Sequence, residues 1–305
     1  MAPDNALSRP NVAITGTGGF LGRHIAAALA ATGLSVTAIG RTPPHGLGNA
    51  VRPVAWDGRQ PAPASWRFDA VVDCAAALPS RVADPATLLA VNAALARGAV
   101  ELAARTAAPL VYMSSQSAIG RPAVATIDDR TPPNPDTPYG RSKLAAEEML
   151  AAAVADGRLP AALALRLPAV VGPGCHDNFP AGVAAHLAAG RPVPVFNPDG
   201  LYNAVVHADC VAALVRHLLL NPPQGFHATS LASRPAIPLR AAVAAIAAGF
   251  RVSCALDIRP SSQPSPTIDP GGAEALGFVA DDTAAVLERF GREAALRIAT
   301  PPSPR

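Results

Sequence analysis

Tyr139 and Lys143, in the run Tyr139-Gly140-Arg141-Ser142-Lys143, stand one above the other if that segment is helical. An ammonium so placed favours the phenolate of its neighbour. That makes a usable base of a phenol, whose ordinary pKa is about 10. Upstream, Ser114 and Ser115 close an apolar run. A hydroxyl at the C-terminal end of a parallel strand faces a ligand crevice. It can therefore hold the oxygen with which Tyr139 exchanges a proton. Taken singly, Tyr-x-x-x-Lys arises by chance in many helices, and Ser-Ser is an ordinary turn. A third feature precedes both: Thr15-Gly16-Thr17-Gly18-Gly19-Phe20-Leu21-Gly22, between a short apolar run and a helical pattern. Gly16, Gly19 and Gly22 allow a tight turn, close approach of a pyrophosphate and close helix–sheet packing. The helix start, with Phe20 and Leu21, offers free N–H groups and a positive dipole end to an anion.

Such a loop implies a dinucleotide, and the end of the next strand should select it. An acid about 20 residues past the loop would accept from the 2′-hydroxyl of NAD. Here the residues are Ile39-Gly40-Arg41. Arg41 can pair with the 2′-phosphate of NADP, which favours NADP over NAD; a solvent-exposed loop arginine is the other reading. Asp57 is placed to touch the adenine or simply to form a turn. Asp73-Cys74-Ala75-Ala76-Ala77 ends a further strand, and the small side chains of Ala75 and Ala76 let backbone lie against the cofactor. Cys74 reads as a small core residue rather than a reactive thiol.

The elements that must position these residues alternate. Strands are expected at residues 11–15, 35–39, 51–56, 70–73, 110–113 and 163–166, and helices at 20–32, 85–106 and 138–155. Gly33 stops the first helix, and Thr137 caps the third with Pro138 at its first position. This is an α/β pattern with a doubly wound parallel sheet. After Gly172 the pattern weakens to a helix at 181–189, a strand at 205–207, a helix at 209–220, and then short elements among prolines up to about Gly291. The expected division is a dinucleotide domain of residues 1–171 plus 204–228, a substrate-binding lobe of 172–203 plus 229–300, and a disordered tail of 301–305.

Half of the 305 residues are hydrophobic and 15% are charged, enough for a sizeable core. The net charge of +3 comes from scattered basic residues without interleaved aromatics, which argues against nucleic acid. No uninterrupted apolar run reaches about 18 residues, so no membrane span is expected. Residues 1–10 lack a leader pattern. Cys74, Cys175, Cys210 and Cys254 are far apart and form no Cys-x-x-Cys, as in a reduced cytoplasmic protein. Cys175-His176-Asp177 has no further ligand in register, so no metal is expected. His207 reads as a satisfied core histidine, and Arg191 as a surface arginine.

Together these residues resemble the extended short-chain dehydrogenase/reductase family, also called the NAD-dependent epimerase/dehydratase family, over about residues 11–280. Its motifs are matched by Thr15 to Gly22, Asp69 to Ala76, Asn92 in the long helix, Ser114 to Gly120, Tyr139 with Lys143, and Leu165 to Gly174. The resemblance implies a Rossmann-like sheet with a smaller C-terminal substrate-binding lobe, and a homodimer through the helices carrying Asn92 and Tyr139. It assigns catalysis to Ser115, Tyr139 and Lys143. Tyr139 takes the alcohol proton, Lys143 assists it and holds the nicotinamide ribose, and Ser115 bonds the same oxygen. Asn92 and Pro168 join the cofactor site, Pro168 near the carboxamide. Asn178 contacts substrate, and Gln116 stands beside the catalytic serine.

Departures narrow the reading. The arginine that often binds a sugar-nucleotide diphosphate is Asn203 here, and the Asp after the following strand is Cys210, with Asp209 beside it able to cap a helix. A tyrosine common after the serine pair is Ile119. Gln116 and Ser117 replace the acidic pair of dehydratases, which argues against a 4,6-dehydratase. The expectation is Tyr-assisted hydride transfer at a secondary alcohol or ketone of a sugar-like or other small molecule. An NADP-dependent ketoreductase of a non-sugar substrate and a nucleotide-sugar 4-epimerase are the enzyme alternatives. A non-catalytic dinucleotide sensor or assembly protein is the alternative of another class.

Overall fold

The computed structural model describes residues 10–43, 45–260 and 265–299. The expected leaderless N-terminus (all but Pro10) and the disordered tail fall outside these residues. Seven strands form one parallel sheet: β1 (Asn11–Thr15), β2 (Ser35–Gly40), β3 (Val51–Ala55), β4 (Ala70–Asp73), β5 (Leu110–Ser115), β7 (Ala161–Leu167) and β12 (Gly225–Ser230). Their order is β12-β7-β5-β4-β1-β2-β3. The chain leaves β1 in one direction toward β2 and resumes at β4 on the other side. The boundary between β1 and β4 is therefore the topological switch point, the place where sheets of this kind bind ligands. Thr15 lies beside Asp73 in register, and Asp73 beside Tyr112.

Helices cover both faces. On one side α1 (Phe20–Ala31) and α5 (Ala208–Leu220) bury Ile25, Leu29, Leu214 and Leu218 against Ile14, Val72, Val111 and Leu165. Opposite, α2 (Pro85–Ala104) and α3 (Pro138–Ala155) bury Val100, Leu102, Leu150 and their alanines against Ala13, Val71, Leu110 and Ala164. Each fully buried leucine contributes roughly 1.5–3 kcal/mol. Cap chemistry sets the helix starts. Asp84 accepts from Thr87 N–H at 2.8 Å, and Thr137 accepts from Gly140 N–H at 3.0 Å. Gly33, at φ +85°, follows the last turn of α1. By length and composition α2 could cross a membrane, but it packs on the sheet, with Leu88, Asn92, Ala99 and Leu102 buried.

Smaller pairs accompany the sheet: β6 (Thr126–Ile127) with β15 (Thr267–Ile268), β8 (Ala169–Val171) with β11 (Val205–His207), β9 (Val193–Phe196) with β14 (Leu256–Arg259), and β10 (Leu201–Tyr202) with β13 (Ile237–Pro238). A separate core forms where α4 (Phe179–Ala188), α6 (Leu239–Phe250) and α8 (Thr283–Ala299) meet β9 and β11, around Val183, Val195, Ile246, Leu287 and Phe290. The short α7 (Gly271–Ala275) lies between β15 and α8. The C-terminal third thus differs from the short elements expected there. α6 has 12 residues and α8 has 17, and β12 is an edge strand of the main sheet. Alanine fills most of α6 around Val243 and Ile246, whereas α8 sets buried Val286, Leu287 and Phe290 among Glu288, Arg289, Arg292 and Glu293.

Candidate active site

The loop between β1 and α1 is fixed from below. Thr17 donates its N–H and its hydroxyl to the Ile39 carbonyl, at 3.2 and 2.9 Å, which ties the loop to the end of β2. Gly16 sits at φ +69°, and a Cβ there would stand 2.6 Å from the backbone of Cys74 and Ala75. A Cβ on Gly22 would stand 2.6 Å from the Gly16 carbonyl oxygen. Both glycines are therefore required by close backbone approach. Gly19 begins α1 without a side-chain cap, and Gly18 and Gly19 are exposed. Phe20 and Leu21 follow half-buried. The uncapped N–H groups and the space a Cβ would fill suit a pyrophosphate.

Across the crevice, α3 carries Tyr139, Lys143 and Glu147 at four-residue intervals, and so on one face. Gly140 lets the helix start abut the loop after β5: a Cβ there would be 2.1 Å from the Ser117 carbonyl oxygen. This sets the half-buried Tyr139 beside the loop that carries Ser115. Lys143 is only 3% exposed, donates to the Met113 carbonyl at 2.7 Å, and lies 4.6 Å from the Tyr112 ring centre and 5.7 Å from that of Tyr139. Burial works against its charge, but Tyr112, Tyr139 and Asp73 outweigh it, and the net effect raises its pKa. Burial pushes the Tyr112 phenol up to about 12. Lys143 thus remains an ammonium across the ordinary pH range.

Ser114 and Ser115 end β5 rather than following it, and they divide the work. Ser115 is half-buried, and its oxygen accepts from Ser117 N–H at 3.1 Å. Ser114 points into the protein and donates to Glu147 at 2.5 Å. Glu147 also receives Arg166 from β7 through two nitrogens, with 2.7 Å between Nη2 and Oε2. This buried pair gave no sequence signal, because Glu and Arg are 19 positions apart on different elements. Gln116 donates to the Arg166 carbonyl at 3.0 Å, and its own Oε1 is buried without a partner among the described residues.

Other expected site residues are placed differently. Asn92 is buried and grips Ala77, accepting from its N–H at 2.7 Å and donating to its carbonyl at 3.2 Å, with a further bond to Ser142. It therefore shapes the loop holding Ala75 and Ala76. Asn178 caps α4, and its amide donates to the Val170 carbonyl. Asn203 is buried, bonded through both amide atoms to Ile268 and through nitrogen to Ser233, so its polar capacity is spent inside the protein. Asp57 forms a turn with Arg59 and Gln60, whose N–H groups it accepts. Arg41 is exposed with no ion-pair partner among the described residues. Pro168 is half-buried between β7 and β8.

His207, rather than Asp209, caps α5, accepting from Asp209 N–H at 3.1 Å and facing Glu293 at 3.1 Å. Asp209 pairs instead with His24 and Arg289. In the loop after β8, Asp177 meets His176 and accepts from Ser80 at 2.8 Å. Burial raises the Cys74 thiol well above its ordinary value, which makes it inert.

Residues 12–228 match the sequence profile of the NAD dependent epimerase/dehydratase family. Over 201 residues the chain is 33% identical to a dTDP-6-deoxy-L-talose 4-dehydrogenase (NAD(P)(+)) of Kitasatospora kifunensis, covering 62% of this chain and 61% of that protein. Over 135 residues it is 33% identical to a 2'-dehydrokanamycin reductase of Streptomyces kanamyceticus, covering 43% of this chain and 38% of that one. The chain thus spans about three fifths of the first relative and less of the second. Its fold is similar to that of a UDP-N-acetylglucosamine 4-epimerase from Methanobrevibacter ruminantium M1, with a TM-score of 0.82 at 16% identity over 96% of this chain and 99% of that one. A profile match over most of its length, with the phosphate loop and the α3 row built as described, makes this chain a member of the NAD dependent epimerase/dehydratase family.

Proposed function

We propose that the protein is an NAD(P)-dependent oxidoreductase acting on a secondary alcohol or ketone of a sugar-like small molecule. One observation carries this reading: the Lys143 ammonium, buried on α3 between Tyr112 and Tyr139, bonds the Met113 carbonyl of β5, the strand that Ser115 ends. The residues present fit a nicotinamide dinucleotide. Gly16, Gly19 and Gly22 with the N–H groups of Phe20 and Leu21 would hold its pyrophosphate, while Ala75, Ala76 and Pro168 would line it. When bound, the dinucleotide supplies a hydride acceptor or donor at its nicotinamide. The protein supplies position and proton handling. Ser115 donates to the reacting oxygen, Tyr139 exchanges a proton with it, and the Lys143 ammonium stabilises negative charge there and bonds the ribose.

Two finer choices follow. Exposed Arg41, next to Gly40 and with no ion-pair partner among the described residues, supports NADP over NAD through a 2′-phosphate contact. The named relatives are a dehydrogenase and a reductase, which favours net oxidation or reduction over an internal epimerase cycle. A homodimer through α2 and α3 fits the half-buried Leu89, Val91 and Met149 on those helices. Four cysteines free of disulfides fit a reducing compartment such as the cytoplasm.

The test is to extract any nicotinamide from the purified protein and to titrate the emptied protein with NADH and NADPH. Sugar-nucleotide and aminoglycoside alcohols and ketones would then be screened by nicotinamide absorbance. NADPH binding about tenfold tighter than NADH, falling to parity in Arg41→Ala, is expected. Stoichiometric retained NAD would instead select the epimerase cycle.

A further inference from the structure

Arg297 stands in the last turn of α8. A basic side chain there complements the helix dipole, and from an exposed position it would ordinarily do no more. This one is seated against the start of α1. A Cβ on Gly174, in the loop after β8, would stand 2.9 Å from Arg297 Nη1 and 3.7 Å from the Phe20 ring. The guanidinium of the last helix and the first residue of α1 thus meet at one glycine, which sits at φ +98° and leaves room for both.

Arg297 reaches that place with its charge unmatched. It is exposed and has no hydrogen-bond or ion-pair partner among the described residues. The carboxylates nearby in the chain or in the fold are taken. Glu293, one turn back on α8, faces His207 at 3.1 Å and Arg289 at 2.9 Å. Asp209 pairs with His24 and Arg289, and Asp177, in the same loop as Gly174, pairs with His176.

The start of α1, in turn, is short of positive charge for what it would hold. A dinucleotide carries a negative charge on each phosphate of its pyrophosphate, whereas a helix N-terminus offers about half a positive charge. α1 has no acid in its first turn that would answer Arg297. Arg23, the cation of that turn, donates to the His45 carbonyl at 2.5 Å and is held there.

We propose that Arg297 is the cation that completes the pyrophosphate site, its guanidinium reaching past Gly174 to the phosphates held at the N-terminus of α1. This deepens the dinucleotide reading above and rests on it. The contact is a charge-assisted one of the kind that suits a planar guanidinium. It makes α8, which packs the separate core around Ile246, part of the nucleotide site.

The test measures dissociation constants of NADH and NADPH by calorimetry and nicotinamide fluorescence, with UDP as a diphosphate probe that lacks nicotinamide. Arg297→Gln should weaken both dinucleotides by the same factor, about three- to tenfold, since both carry the pyrophosphate. It should also flatten the loss of affinity with added salt. Arg297→Lys keeps the charge and should recover part of the loss. Arg292→Gln removes a positive charge from the same helix, one paired with Glu288, and should leave both constants unchanged. Unchanged binding of both dinucleotides by Arg297→Gln overturns the proposal, and so does a loss confined to NADPH, which would mark a 2′-phosphate contact. Weaker UDP binding with the dinucleotides unchanged would assign Arg297 to a substrate diphosphate and overturn it equally. If the parent protein binds neither dinucleotide, the reading of the site fails first and takes this inference with it. If the parent binds both and Arg297→Gln binds them as tightly, only this inference falls.

Discussion

The two halves of the molecule use their polar side chains differently. At the ends of β1, β4 and β5 and along α3, several polar groups keep unused capacity: Asp73 Oδ2 and Gln116 Oε1 have no partner among the described residues, Ser115 and Tyr139 are half-buried at the crevice, and Arg41 is exposed beyond β2. Beyond β8, Asn178 and Asn203 are bonded to backbone through both amide atoms, and His207 is engaged through both ring nitrogens. A group whose hydrogen bonds are filled holds structure, whereas one with capacity left can take a ligand. On the proposed reading the strand ends would carry the chemistry, and the segments beyond β8 would contribute shape.

Three substitutions test that division. The largest effect should come from Tyr139→Phe. With folding intact by circular dichroism, turnover should fall about 10²–10⁴-fold, the range for loss of a positioned acid–base group. Retained turnover would move the chemistry elsewhere. Glu147→Gln comes next, because the first half also contains a fully occupied cluster. Leaving Arg166 charged and buried without its partner should cost about 3–5 kcal/mol in urea unfolding. A neutral result would mean that the pair is not closed to water. Asn203→Ala should be the smallest, costing about 1–3 kcal/mol for the backbone groups it strands with substrate KM little changed. A large rise in KM with stability intact would return Asn203 to the binding site and blur the contrast.

Much of the first half was legible in the chain because local chemistry and position coincide there. Glycine spacing, the Thr137-Pro138 helix start and Tyr139/Lys143 all act within a turn or two of themselves, and parallel strands bury continuous apolar runs. What was hidden depends on long-range partners. Glu147 gives no signal of its own until Arg166 arrives from β7. Asn203 stands at a position where a ligand-binding residue was expected, yet Ile268, 65 positions later, takes its amide. Asp73 looks like an ordinary strand end, and only burial exposes its unmatched oxygen. α6 escaped for another reason, since its alanines weaken the hydrophobic contrast, whereas the amphipathic pattern of α8 was there to be read.

The network around Asp209 has a bearing on how the chain comes to be made. Asp209 joins His24 of α1 at 2.5 Å and Arg289 of α8, and His207 meets Glu293 of the same last helix. The first turn of α5, which lies on the main sheet, is therefore completed by residues translated 80 or more positions later. Synthesis proceeds from the N-terminus, so the sheet can assemble on the ribosome while Asp209 still lacks Arg289 and His207 still lacks Glu293. This corner of the main sheet is then closed late, by the helix that also packs the separate core around Val183 and Ile246.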